Sequence, residues 1–290
     1  MKKDSRKLSH SQNFLWNHEF VRSLIDKTDI GSSDLVVEIG PGKGIITRTL
    51  AKRAGRVIGV EFDSELAAEL KNQFLNYPSV EIVKTNFLTW DLPREPYKVF
   101  ANLPFNMTAD IVNKLLTGQN SPETTYLVMQ DKAAERFIGQ PVGPNSQVSI
   151  LLKPFYDMDI ITRIERGQFE PRPNVDAVLA RFEKRSLSKV NPRVRQLYRD
   201  FVIYGFNQWQ PGIIDAFRKI FSRGQLKIMA RNLGISGLKP SELKVEHWLE
   251  MFEVFLNHGS LEKKGQVSGT EKGEQDKHSR RQKLHRTRAN

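Results

Sequence analysis

Short apolar runs rich in β-branched residues alternate, over the first two thirds of the chain, with stretches whose apolar positions recur at helical spacing. The runs Leu35 to Ile39, Val57 to Val60, Val80 to Val83, Lys98 to Ala101 and Thr125 to Met129 predict strands. Between them, Lys43 to Arg53, Ser64 to Phe74, Ala109 to Leu116 and Asp131 to Ile138 predict helices. Strand and helix in alternation predict an α/β fold around a largely parallel sheet. Two more β-like runs, Ile160 to Ile164 and Ala177 to Phe182, follow with no long helix between them, only a loop of Phe169-Glu170-Pro171-Arg172-Pro173. Strands this close in sequence pair antiparallel, here at a sheet edge. From about Asn191 the pattern is helical only, as in Leu226 to Leu233 and Val245 to Leu256, which predicts a small C-terminal all-α domain. From about Gly259 the chain is poor in apolar residues and rich in Lys, Arg, Glu, Gln and Ser, a composition that predicts a basic tail disordered in isolation. The expected boundaries are 1–187, 188–258 and 259–290.

Composition narrows the function classes. No apolar run approaches a membrane span, and the basic start, Met1 to Lys7, leads into polar residues rather than a secretory apolar core, so the expected location is the cytoplasm. The chain has no cysteine, which excludes disulfides, thiolate zinc sites and a cysteine nucleophile. Lys and Arg number 45 against 33 acids, a formal charge of +12 that favours a polyanionic partner. The terminal run Arg280 to Arg288 suits either a grip on phosphates or a solvated tail.

Candidate chemistry begins directly after the first long strand, where Glu38-Ile39-Gly40-Pro41-Gly42-Lys43-Gly44 opens a helix. Glycines at 40, 42 and 44 allow a sharp turn and a ligand's close approach. A strand, glycine turn and helix at a sheet's carboxyl edge is where α/β folds bind nucleotides. The G-x-G-x-G spacing fits neither the dinucleotide fingerprint nor the polyphosphate loop. The second strand ends in Val60-Glu61-Phe62, placing an acid where it accepts hydrogen bonds from both ribose hydroxyls of an adenosine. After the third comes Thr85-Asn86-Phe87, where Asn86 is placed to read an adenine edge and Phe87 to flank the ring.

The fourth strand runs into Asn102-Leu103-Pro104-Phe105-Asn106. An exocyclic adenine amine is a poor nucleophile, because its lone pair is delocalised into the ring. Two acceptors aimed at its hydrogens, the Asn102 carboxamide oxygen and the Leu103 carbonyl, would draw the nitrogen toward tetrahedral geometry and free the lone pair. Pro104 rigidifies the turn, and Phe105 offers a face on which a base stacks. Taken alone, the motif also suits an Asx-Pro turn with a core Phe.

At these residues the sequence resembles the ribosomal RNA adenine N6-dimethyltransferases, over roughly residues 8 to 185. The segment Ser9-His10-Ser11-Gln12-Asn13-Phe14-Leu15 resembles the family's amino-terminal box. The resemblance implies a Rossmann-like class I methyltransferase sheet using S-adenosylmethionine, no metal, and an RNA-binding role for the helical domain. It also implies cofactor contacts at Asn13, Leu15, Gly40, Gly42, Gly44, Glu61, Phe62, Asn86, Phe87 and Asn102, and a catalytic set of Asn102, Leu103, Pro104 and Phe105, with Phe169 as a second aromatic near the target base. The family usually has Asp at the position of Asn86. Asn106-Met107-Thr108-Ala109-Asp110, Gln130 to Phe137 and the late Trp248 to Leu256 helix look like the Erm branch, which dimethylates one adenine of 23S ribosomal RNA and confers macrolide, lincosamide and streptogramin B resistance. The expected partner is therefore 23S ribosomal RNA or an immature large-subunit precursor. Two alternatives stay open: a small-subunit rRNA adenine dimethylase, and a catalytically idle RNA-binding relative.

Overall fold

The structure is a computed structural model and describes residues 13–118 and 120–277. The chain divides into two compact units, one of residues 1–135 and 156–185, the other of residues 136–155 and 186–290.

The first unit is built on a seven-stranded sheet. Its parallel part comprises β2 (Leu35–Ile39), β3 (Arg56–Glu61), β4 (Val80–Lys84), β5 (Lys98–Asn102) and β6 (Thr124–Gln130). A further pair, β7 (Tyr156–Ile164) and β9 (Ala177–Lys184), closes one edge antiparallel, in the order β4-β3-β2-β5-β6-β9-β7. A short ribbon of β1 (Phe14–Leu15) and β8 (Phe169–Glu170) pairs separately. Strand β7 begins earlier than its apolar residues predict, because Asp159 pairs across to Arg181 at 2.8 Å and Asp157 to Arg185. The core packs Val36, Val57, Phe100 and Val128 of the sheet with Val21, Leu24 and Ile25 of α1 (His18–Ile25) and with Ile46 and Leu50 of α2 (Ile45–Leu50). Helix α2 starts after the Lys43 expected from sequence, since Gly44 is its cap with φ of 77°. Helix α3 (Ser64–Gln73) is started by Asp63, whose carboxylate accepts from the amides of Glu65 and Leu66. Helix α4 (Thr108–Thr117) follows β5, and α5 (Asp131–Ile138) follows β6.

The strand order reverses between β2 and β5, two parallel neighbours whose carboxyl ends therefore diverge into separate loops. Such a switch point is the ligand crevice of an open α/β sheet. Gly40 follows β2, and Asn102 ends β5.

The second unit is helical: α6 (Gln147–Leu152), α7 (Arg195–Phe206), α8 (Ile213–Ala216), α9 (Arg223–Leu233), α10 (Val245–His258) and α11 (Leu261–Val267). Its core is aromatic, with the Phe201 ring stacked on Phe217 at 4.6 Å and in contact with Phe252, Phe255 and Trp248. Two sequence-based boundaries need correction. Residues 136–155 belong to this unit rather than to the sheet: Tyr198 Oη donates to the Ile150 carbonyl, Asn145 Nδ2 donates to that of Leu243, and Arg195 lies 4.4 Å over Phe155. Nor is the chain after Gly259 without structure. Ser260 caps α11, Val267 is buried, and Asp200 accepts from the amides of Gly269 and Glu271 at the start of a further helical stretch over 270–277, which Arg199 holds through Glu271. Among the described residues no helix is long and apolar enough to cross a membrane.

Candidate active site

The glycine turn after β2 keeps φ values of 66°, 55° and 77° at Gly40, Gly42 and Gly44, a left-handed conformation that side chains resist. The three differ in surroundings. A Cβ at Gly40 would meet nothing within 4 Å, so its backbone is open to a ligand. One at Gly42 would stand 2.5 Å from the Phe14 ring, and one at Gly44 would press on Leu70 and Phe74. Gly44 thus serves helix packing more than ligand access.

Glu61 ends β3, buried, with one carboxylate oxygen accepting from the Gly42 amide at 3.1 Å and the other from the Asp63 amide at 2.9 Å. The adjoining Phe62 is 53% exposed. In the loop after β4, the Asn86 carboxamide oxygen accepts from the Leu88 amide at 3.0 Å. That oxygen, expected to accept from an adenine amine, is therefore committed to a local turn, and the amide NH2 is the end left over. Phe87 is buried, with the Lys114 ammonium 4.9 Å over its ring and donating to the carbonyls of Phe87 and Trp90, so one face is already covered.

At the end of β5, Asn102 Nδ2 donates to the Asn13 carbonyl at 2.7 Å. Its Oδ1 accepts no hydrogen bond among the described residues. The Pro104 carbonyl is used by the Met107 amide and the Thr108 hydroxyl, which folds the loop into the first turn of α4. Asn13, Phe14, Gly40, Asn102, Leu103 and Pro104 line one small cavity, so the entry segment, the glycine turn and the catalytic loop converge. Phe105 is half-buried.

Two of the expected contact residues are buried. Phe169 is only 3% exposed, packed in the core with the Leu15 side chain, its register partner across the β1–β8 ribbon. Both side chains are buried, so the apolar packing of the ribbon holds them in place. The box residues Ser9 to Gln12 and the basic run Arg280 to Arg288 lie outside the described residues.

Glu38 is the group that sequence reasoning passed over. It sits within β2 at 1% exposure, and neither carboxyl oxygen has a hydrogen-bond partner. Burial, reinforced by repulsion from Glu61, pushes it up to about 8. An acid in the middle of the apolar run Leu35 to Ile39 was the visible signal.

An adenosine-based cofactor fits this set: an open glycine backbone, a buried carboxylate at the end of the next strand, and an uncommitted carboxamide oxygen beyond them. The comparisons agree. Residues 3–257 match the family described as Ribosomal RNA adenine dimethylase. The chain is 31% identical over 252 residues to an rRNA methyltransferase of Streptomyces thermotolerans, covering 86% of this chain and 83% of that one. It is 29% identical to a ribosomal RNA small subunit methyltransferase A of Levilactobacillus brevis, covering 88% and 92%. Among solved structures it is similar to the 23S rRNA methyltransferase ErmE, with a TM-score of 0.76 and 26% identity over 83% of this chain and 98% of that one. With the site's geometry and a match across most of its length, the chain belongs to the ribosomal RNA adenine dimethylase family and is an S-adenosylmethionine-dependent rRNA adenine-N6 methyltransferase.

Proposed function

We propose that the substrate is one adenine of 23S ribosomal RNA, or of an immature large-subunit precursor, and that its N6-dimethylation confers macrolide, lincosamide and streptogramin B resistance. The observation that carries this reading is the likeness to ErmE over nearly all of that enzyme's length, joined to Asp110 in the first turn of α4, the acid after the catalytic loop that resembles Erm sequences.

S-adenosylmethionine supplies an electrophilic methyl group on a sulfonium. The chain's residues do the rest. Glu61 receives the ribose hydroxyls, Gly40 lets the backbone approach, and Asn86 turns its NH2 to an acceptor on the adenine edge. Asn102 Oδ1 and the Leu103 carbonyl would accept from the target amine and localise its lone pair, so that the methyl group passes to N6 as its bond to sulfur breaks, the sulfonium leaves as a neutral thioether and the N6 proton goes to solvent. The N6 proton becomes acidic as the new bond forms, so no strong base is needed. Phe105 stacks on the base. RNA affinity comes largely from Lys and Arg on phosphates, in the sheet unit, the helical domain and the basic tail, and falls steeply with salt.

A second reading, action on the small-subunit rRNA, is favoured by the Levilactobacillus brevis relative, which this chain matches at 88% coverage. Transfer of labelled methyl groups to protein-free 23S rRNA and, separately, to small-subunit rRNA or immature particles separates the two. Label on a single 23S adenine supports the proposal. Label confined to the small-subunit substrate overturns it for the second reading, and label on neither points to an idle RNA-binding protein.

A further inference from the structure

Asn102 enters the proposed chemistry with its oxygen, so the orientation of its carboxamide matters. The two ends have the same shape but opposite hydrogen-bonding character, and a half-turn about the terminal torsion exchanges them. Presented NH2 first, Asn102 would set donor hydrogens against the hydrogens of the target amine.

The structure supplies a selector. Asn102 Nδ2 lies 2.7 Å from the Asn13 carbonyl, and a carbonyl only accepts, so the end facing it must be the NH2. Oδ1 is then turned away from Asn13. Asn13 is itself held. The next two residues pair with the β8 strand, Phe14 opposite Glu170 and Leu15 opposite Phe169. Trp16 adds its amide to the Gln168 carbonyl and its indole Nε1 to the Gly167 carbonyl at 2.9 Å. The Phe14 ring rests on Gly42, where any Cβ would collide with it.

We propose that the Asn13 carbonyl, carried on the ribbon of residues 14–15 and 169–170 and stapled by Trp16, is a polarity lock that holds the Asn102 carboxamide oxygen-outward toward the adenine amine. Asn13 and Trp16 are positioning residues in this account, which rests on the reading of Asn102 as the acceptor. It also gives buried Leu15 and Phe169 a function, the anchoring of the lock.

The replacement Asn102→Asp separates the possibilities. A carboxylate has two acceptors and no donor, so it repels the Asn13 carbonyl and moves out of place. Its protonated form donates to Asn13 and again presents an oxygen. The cavity in front of Asn102 is lined by Asn13, Phe14, Gly40, Leu103 and Pro104, none of which titrates; Glu38, on the neighbouring strand with its pKa at about 8, and Glu61 are common to variant and wild type, so wild type is the reference at each pH. Single-turnover transfer to rRNA with saturating S-adenosylmethionine should be about 100-fold below wild type near pH 8, the cost of misplacing a reacting group. The ratio of variant to wild type should rise as pH falls toward about 6. A ratio that stays flat at any level, in a variant with a wild-type unfolding midpoint, overturns the lock. If Asn102→Asp fails to fold, Trp16→Phe decides. It removes the staple's donor and should lower kcat about fivefold with the KM for RNA unchanged, whereas an unchanged kcat overturns the proposal. Wild-type transfer by Asn102→Ala would instead sink the acceptor reading itself, leaving the two failures distinguishable.

Discussion

In the helical unit the buried polar side chains are matched: Asp200 accepts two backbone amides, Asn145 bonds the Leu243 carbonyl and the Gln140 amide, and Tyr198 donates to Ile150. Among the described residues, Glu38, Thr47, Thr125, Asp131 and Gln168 of the sheet unit each bury an oxygen without a partner, against the Trp248 indole N–H alone in the helical unit. Each orphaned group costs about 1–3 kcal/mol. The helical unit is built for closure around stacked aromatic rings. The sheet unit keeps mismatched polar groups, and two of them, Glu38 and Thr47, flank the glycine turn in sequence. Glu38 and Thr47 lie in the strand and the helix on either side of that turn, next to the candidate cofactor site.

The sharpest way to break this contrast is Asn102→Ala. In the sheet unit it should cut transfer by about 10²–10³ while RNA and cofactor affinities stay close to wild type, since an oriented polar group acts mainly in the transition state. Parallel loss of binding would make Asn102 a folding residue. Next comes Glu38. Its folded pKa of about 8 exceeds the ordinary 4.5, so the neutral form favours folding; the contribution is complete below about 4.5 and is lost as pH rises through about 8. Urea unfolding should show Glu38→Gln flattening the decline between those values by up to about 1.4 kcal/mol per pH unit. An unchanged slope would mean that the carboxyl is not buried as described. In the helical unit Asp200→Ala should cost about 2–3 kcal/mol of stability by stranding two amides. Transfer per folded molecule should be unaffected at a temperature where the variant is folded. The smallest effect belongs to Glu61→Gln, which weakens S-adenosylmethionine binding about tenfold by calorimetry, the loss of one charged hydrogen bond. No loss would move the ribose contact elsewhere.

The parallel strands and the glycine turn were legible in the sequence because β-branched runs and positive-φ glycines report on the backbone, whatever lies around them. Burial that depends on distant segments was not. The burial of Phe169 is visible only once β8 is seen to pair with β1, which sets its ring in the core with Leu15. Residues 136–155 are contiguous with the sheet strands, and it takes contacts such as the bonds from Tyr198 and Asn145 to assign them to the helices. The tail's composition hid Val267 and the cap that Asp200 provides. Asn86 showed its identity but not its orientation, which the Leu88 amide decides. In Asn102-Leu103-Pro104-Phe105 the strand end and the turn are local and legible, but the orientation of the carboxamide depends on the Asn13 carbonyl, 89 residues away in sequence.

Everything in the site is arranged for transfer of the methyl group to the exocyclic nitrogen of adenine. Ribosomal RNA labelled by the enzyme from S-adenosylmethionine, digested to nucleosides and separated by chromatography, tests it most directly. The label should run entirely as N6-methyladenosine and N6,N6-dimethyladenosine. Label on a ring nitrogen, a ribose hydroxyl, another base or the protein fraction would contradict it.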